Sequence, residues 1–257
     1  MNRSLRLAVL LGAAMLSACG KGGVQDLVST QPTAGIKFFN FGVNAPSVNF
    51  YANETKMTAI GSTTGAESTT GTAYGSVGDA GFYSGIAPGT YALSGRISAT
   101  TDNGLQVAKL SNITIADGKY YSVYMSGFYD ATGKTVESFV IEDPFSATID
   151  YNAASVRFVN AISNSVPMIL YAKNTVTGLE SAVGGAVAYK SGGAFTALPQ
   201  AVYDLSARAV GSSTNIIVRT GVSFNAGRVY SISARGDITV VSTTLTNRPF
   251  LDNTTNR

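Results

Sequence analysis

Chemistry at a protein site needs a nucleophile, a base or a set of metal ligands, and this 257-residue chain offers few of them. It has no His, which excludes imidazole-based triads and His-ligated metals. Its single Cys, Cys19, excludes an internal disulfide and any Cys-x-x-Cys site. Serines are plentiful, but none has a Lys three residues later, and no Gly-x-Ser-x-Gly elbow or Walker-type loop occurs. Glu142, Asp143 and Asp150 lie close in sequence and could offer oxygens to calcium. Without an Asp-x-Asp-x-Asp-Gly pattern they read as ordinary charge in a solvated linker. A glycosidase would need two carboxylates about 5–10 Å apart in a cleft. Nothing in the spacing of the fifteen acids indicates such a pair. The expectation is a protein that is not an enzyme and carries no cofactor, with a carboxylate-based hydrolase as a remote alternative.

The one residue with a chemical role to assign is Cys19. Arg3 and Arg6 precede an apolar run from Leu7 to Met15. That run is too short to span ~30 Å of hydrocarbon at ~1.5 Å per residue, so it reads as a secretory signal. Leu16-Ser17-Ala18-Cys19 closes it and resembles the lipobox of bacterial lipoproteins. The resemblance implies cleavage before Cys19 and diacylation of its sulfur, and two or more acyl chains give stable anchoring. By the same analogy, Gly20 rather than Asp after the Cys implies sorting to the outer membrane, on its periplasmic face or at the cell surface. Losing Arg3 and Arg6 with the leader leaves sixteen basic against fifteen acidic side chains. That near-neutral balance argues against nucleic acid as a partner.

The full chain is 45% apolar and only 13% charged, enough to build cores. It repeats itself. Ile36-Lys37-Phe38-Phe39-Asn40 matches Val156-Arg157-Phe158-Val159-Asn160, and Phe50-Tyr51-Ala52 matches Leu170-Tyr171-Ala172. Tyr91–Arg96 matches Tyr203–Arg208, Gly118–Val123 matches Gly227–Ile232, and Pro144-Phe145 matches Pro249-Phe250. Order is kept while the offset shrinks, as expected when loops vary and strands do not. The blocks alternate with period two: Ile36 and Phe38 oppose Lys37, and Tyr121, Val123 and Met125 oppose Ser122. Such runs, separated by Asn, Pro, Gly and Asp turns, predict half-buried strands, about seven to a module. Asn40 and Asn160, on the apolar side, are expected to tie down the loops that follow them, with contact to a ligand as the alternative. Phe39 falls on the Lys37 face and is expected either beneath a loop or at a contact between modules.

The turn and strand residues also carry a resemblance. Val43–Tyr51, the Ala87-Pro88-Gly89-Thr90-Tyr91 turn and the Ile115–Tyr121 hairpin are similar to recurrent stretches of the family of domain of unknown function 4397. That family has a sandwich similar to immunoglobulin domains and is common on exported bacterial proteins. Asn49 stands where the family usually has Asp, and the second copy departs further at Ser165–Tyr171 and Pro199–Tyr203.

The predicted architecture is all-β: two tandem immunoglobulin-like β-sandwich modules behind a lipoprotein signal peptide and a flexible tether. The segments are a signal peptide (1–18), a lipidated tether (19–35), module one (36–145), a linker (146–153), module two (154–250) and a tail (251–257). The low-complexity run 61–73 is expected to form a mobile loop. Tyr74, Tyr83, Tyr120 and Tyr124 are candidates for an exposed aromatic surface facing a protein or glycan. The expected role is a non-enzymatic envelope protein held to the membrane by lipid on Cys19, binding a protein or glycan partner. A structural spacer is the alternative.

Overall fold

The computed structural model describes residues 33–58, 70–146 and 148–257. The signal sequence, Cys19 and most of the tether and of the low-complexity run lie outside the described residues. Pro32–Arg257 forms one compact unit.

The strands are β1 (Ala34–Asn40), β2 (Val48–Ala52), β3 (Thr55–Lys56), β4 (Ser76–Val77), β5 (Ser84–Ile86), β6 (Gly89–Ile97), β7 (Gln106–Ile115), β8 (Tyr120–Asp130) and β9 (Thr135–Glu142). They continue with β10 (Ala153–Asn160), β11 (Met168–Asn174), β12 (Glu180–Val187), β13 (Ser191–Gly192), β14 (Thr196–Pro199), β15 (Ala201–Ala209), β16 (Ile217–Phe224), β17 (Val229–Arg235) and β18 (Phe250–Thr255). The first nine make two sheets, ordered β4-β1-β8-β9 with β5 also on β1, and β3-β2-β6-β7. The last nine repeat this order as β13-β10-β17-β18 with β14 on β10, and β12-β11-β15-β16. The protein is therefore all-β, built as two sandwiches. Among the described residues each has nine strands rather than seven, because short edge strands such as β4 and β13 carry too few residues to show a period.

The alternation sets which side chains enter each sandwich. Ile36, Phe38, Phe50, Leu93, Val123 and Met125 share one core with their neighbours. Val156, Phe158, Leu170, Leu205, Ile232 and Leu251 share the other. Local side-chain contacts recur at matched positions. The Tyr91 hydroxyl donates to the Ala87 carbonyl at 2.9 Å, and Tyr203 to the Pro199 carbonyl at 2.8 Å. The Tyr121 hydroxyl accepts from the Ala116 amide, as Tyr230 does from Asn225. Arg96 pairs with Glu54 over the Tyr51 ring, and Arg208 with Glu180 over Tyr171. Gly118 and Gly227 hold the matching hairpin turns at φ +66° and +76°, a region costly for other residues.

Several boundaries shift. Ala34 and Gly35, read as tether, already pair in β1. Ala153, read as linker, opens β10, and the segment read as a tail is β18, paired along β17. Asn40 and Asn160 act as loop ties: the Asn40 amide donates to the carbonyls of Pro46 (3.0 Å) and Thr72 (2.9 Å), and the Asn160 carbonyl accepts from Ile162.

The half-buried reading fails for β1, all seven of whose residues are buried. A third core explains this. Phe39, Phe41, Tyr124 and Phe139 from the first sandwich pack with Val159 and Ala161 from the second. The two larger sheets thus face each other, and each covers the other's outer surface.

Candidate functional site at the module junction

The junction is built from the residues that point away from each sandwich core. On β1 and β10 these are Lys37 and Arg157, at matched positions, each 1% exposed. On β8 and β17 the facing residues are Ser122 and Ser231, small enough for the sheets to approach closely. β1 pairs in parallel with β8, setting Lys37 opposite Ser122, and β10 with β17 sets Arg157 opposite Ser231.

Each cation reaches across to the residues that end the other sandwich's last strand. Arg157 donates to the Glu142 carbonyl at 3.1 Å and to the Asp143 carboxylate. Its Nε donates to Ser231 Oγ at 2.9 Å. Lys37 donates to the Thr255 carbonyl and to Asn256 Oδ1, both at 3.1 Å. Glu142 and Thr255 hold equivalent registers, opposite Tyr121 and Tyr230. The two grips are therefore reciprocal, with Asp143 and Asn256 in matching roles.

Asp143 is not the solvated linker charge expected from its position. Its side chain is fully buried and also accepts from the Tyr83 hydroxyl at 2.6 Å and Ser122 Oγ at 2.7 Å. Glu142 pairs instead with exposed Lys119, and Asp150 accepts from the Asn152 amide. Among the described residues, no group of three or more His, Cys, Asp or Glu side chains is placed to hold a metal. Burial of Tyr83 beside Asp143 pushes its phenol well above the ordinary range, so it stays a donor. Lys37 lies 4.2 Å from the centre of the Tyr83 ring. Burial pulls its amine down to about 8; the Asp143 charge opposes the fall and the Arg157 charge adds to it.

The four candidate tyrosines do not form one open surface: Tyr83 and Tyr120 touch each other, Tyr124 stacks in the third core, and Tyr74 sits against Arg235. Tyr124 is fully buried, stacked between Phe39 at 4.4 Å and Phe139 at 4.9 Å, with its hydroxyl 3.1 Å from Ser233 Oγ. The expectation of ligand-facing exposure is corrected there: a ring in a sheet centre is covered once two sheets meet. Burial also raises its phenol to about 12. Tyr83 and Tyr120 meet edge-on at 5.0 Å, and Phe145 closes against Tyr120 at 4.9 Å. Tyr74 lies 5.2 Å from the Arg235 guanidinium, itself a neighbour of Phe41 and Phe250.

Phe82, 74% accessible, is an exposed aromatic missed in the sequence. It follows three consecutive left-handed residues, Asp79 (φ +49°), Ala80 (+54°) and Gly81 (+86°). A side chain at such φ costs about 1–2 kcal/mol, and strain of this kind gathers at functional sites. Phe82 borders a groove of about 560 Å³ that crosses the junction and is also lined by Tyr83, Arg228, Asn253, Asn256 and Arg257. An aromatic face, amides and guanidinium groups together suit a polar ligand with a stacking surface.

No curated protein matches the chain. Among solved structures, it is similar to a leucine-rich repeat protein from Bacteroides thetaiotaomicron at 10% identity and a TM-score of 0.21. That match covers 84% of this chain but only 26% of the other. Residues 34–171 match the family described as domain of unknown function DUF4397, which spans the whole first sandwich and enters the second as far as β11. The chain belongs to that family.

Proposed function

We propose that this is a lipoprotein of the cell envelope, anchored through acyl chains on Cys19, whose paired sandwiches bind a protein or glycan without catalysis. The observation that carries the reading is the N-terminal order of basic residues, short apolar run and Leu16-Ser17-Ala18-Cys19. A periplasmic or surface position in the outer membrane follows from Gly20. Among the described residues no helix is long and apolar enough to cross a membrane. We read residues 154–250 as a second copy of the same domain, because strand order and side-chain contacts recur there. The junction groove with Phe82 is the binding surface we favour. A spacer role has its own support in the buried third core, which stiffens the pair.

The test is protease accessibility on intact cells, wild type against Cys19→Ala. The proposal expects wild type in the membrane fraction and Cys19→Ala released in soluble form. Cleavage of wild type from outside places it at the surface, and protection until lysis places it in the periplasm. A Cys19→Ala protein as firmly membrane-bound as wild type overturns the anchor.

A further inference from the structure

The two reciprocal grips differ in what they can become. Arg157 faces a carboxylate, and a guanidinium stays protonated in proteins. Lys37 faces a carboxamide, and its hydrogen-bond acceptors, the Thr255 carbonyl and Asn256 Oδ1, are both neutral. We infer that Lys37 and Asn256 form an intramolecular amide cross-link that joins the first strand of one sandwich to the end of the last strand of the other.

The bond change is balanced without an oxidant or any co-reactant. Lys37 first gives up the extra proton of its ammonium to solvent. The neutral Nζ attacks Asn256 Cγ, the Nζ–Cγ bond forms, and the Cγ–Nδ2 bond breaks. One proton passes from the attacking to the leaving nitrogen, which departs as ammonia. The product is a secondary amide between the two side chains.

Four observations place the reactants for this step. First, Nζ lies 3.1 Å from Asn256 Oδ1. That contact seats the amine directly against the carboxamide, and partners held in contact gain from proximity. Second, Lys37 is 1% exposed, and burial disfavours the ammonium. With its amine near 8, about one molecule in ten holds a neutral nucleophile at pH 7. Third, the leaving nitrogen is anchored: Asn256 Nδ2 donates to Ser231 Oγ at 2.8 Å, a hydroxyl that also accepts from Arg157 Nε. This turns the carboxamide so that its oxygen points at Lys37. Fourth, Asn256 lines the junction groove, which gives ammonia a way out. The Tyr83 ring, 4.2 Å from Nζ, covers the amine on one side.

The purified full chain, digested with trypsin and read by mass spectrometry, tests this directly. Trypsin does not cut after an acylated Lys. The cross-link therefore predicts one branched species joining residues 22–56 to 236–257, lighter than their sum by one ammonia. Lys37→Arg and Asn256→Ala should each yield only linear peptides, and Asn256→Ala should melt lower by roughly 5 °C or more. Linear wild-type peptides ending at Lys37 with Asn256 intact would overturn the inference. So would ammonia loss confined to a linear peptide, the mark of a cyclised Asn rather than a cross-link.

Discussion

The grips at the two ends of the junction use the same scaffold and opposite electrostatics. Arg157 meets Asp143, a charge against a charge, with both side chains at or below 1% exposure. Lys37 meets Asn256, a charge against a neutral amide. Matched serines, Ser122 and Ser231, hold the matched partners Asp143 and Asn256. Two differences between equivalent positions, Lys for Arg and Asn for Asp, thus separate a permanent ion pair from a lysine whose charge is costly. An interface symmetric in geometry need not be symmetric in chemistry. The charged half tolerates no loss of a partner, while the neutral half can discard its charge altogether.

The largest effect should come from breaking the charged half. Arg157→Ala leaves Asp143 buried with only Tyr83 and Ser122 to satisfy it, and should cost about 3–5 kcal/mol in denaturant unfolding. Replacing both partners, as Arg157→Met with Asp143→Leu, should recover most of that loss, since a buried pair often does no better than apolar residues of similar volume. If the double variant is as unstable as Arg157→Ala, the pair contributes more than charge compensation.

A smaller effect distinguishes the neutral half. In Asn256→Ala, Lys37 stays a free amine. Its folded value lies below its ordinary 10.5, so the folded state binds fewer protons than the unfolded chain in between. Stability should therefore rise from about pH 8 towards pH 10, by up to about 1.4 kcal/mol per pH unit. Above pH 10 the raised phenols of Tyr83 and Tyr124 act in the opposite sense, because the unfolded chain ionises first. Wild type, with Lys37 acylated, should lack the rise. Urea midpoints of the two proteins across pH 7–10 make the comparison, and equal slopes would count against the difference drawn between the grips.

The smallest change in stability is expected at the groove. Phe82→Ser removes an exposed ring and should alter unfolding by no more than about 0.5 kcal/mol. Binding to a glycan array or to envelope proteins should nevertheless be lost if the groove is the binding surface. Retained binding would direct attention to the sandwich-end loops.

Much of this was legible in the sequence. Alternation at Ile36–Phe38 and Tyr121–Met125 marked the strands, and four of the five matched blocks marked the recurring strand order; Pro144-Phe145 and Pro249-Phe250 do not correspond, because Phe250 opens β18 while Phe145 follows β9. Cys19 rests on motif and position alone. The junction was hidden because period two separates two faces without saying what covers the second. Lys37 and Arg157 look like solvent-facing charges until the other sheet is placed over them. Phe39 was the discordant residue, an aromatic on a nominally wet face. Ser122, Ser231 and Ser233, where an open sheet usually carries longer polar side chains, were a second sign. Asp143 could not be read, because its partner lies across the junction on another strand. Phe82 was silent because only the backbone turn before it makes it protrude.

The central claim is that the third core and its two grips make both sandwiches one folding unit. Differential scanning calorimetry of the full chain tests it most directly. One transition is expected, with calorimetric and van't Hoff enthalpies in agreement, moving as a whole to lower temperature in Arg157→Ala. Two separable transitions in wild type, with Arg157→Ala shifting only one of them, would contradict it.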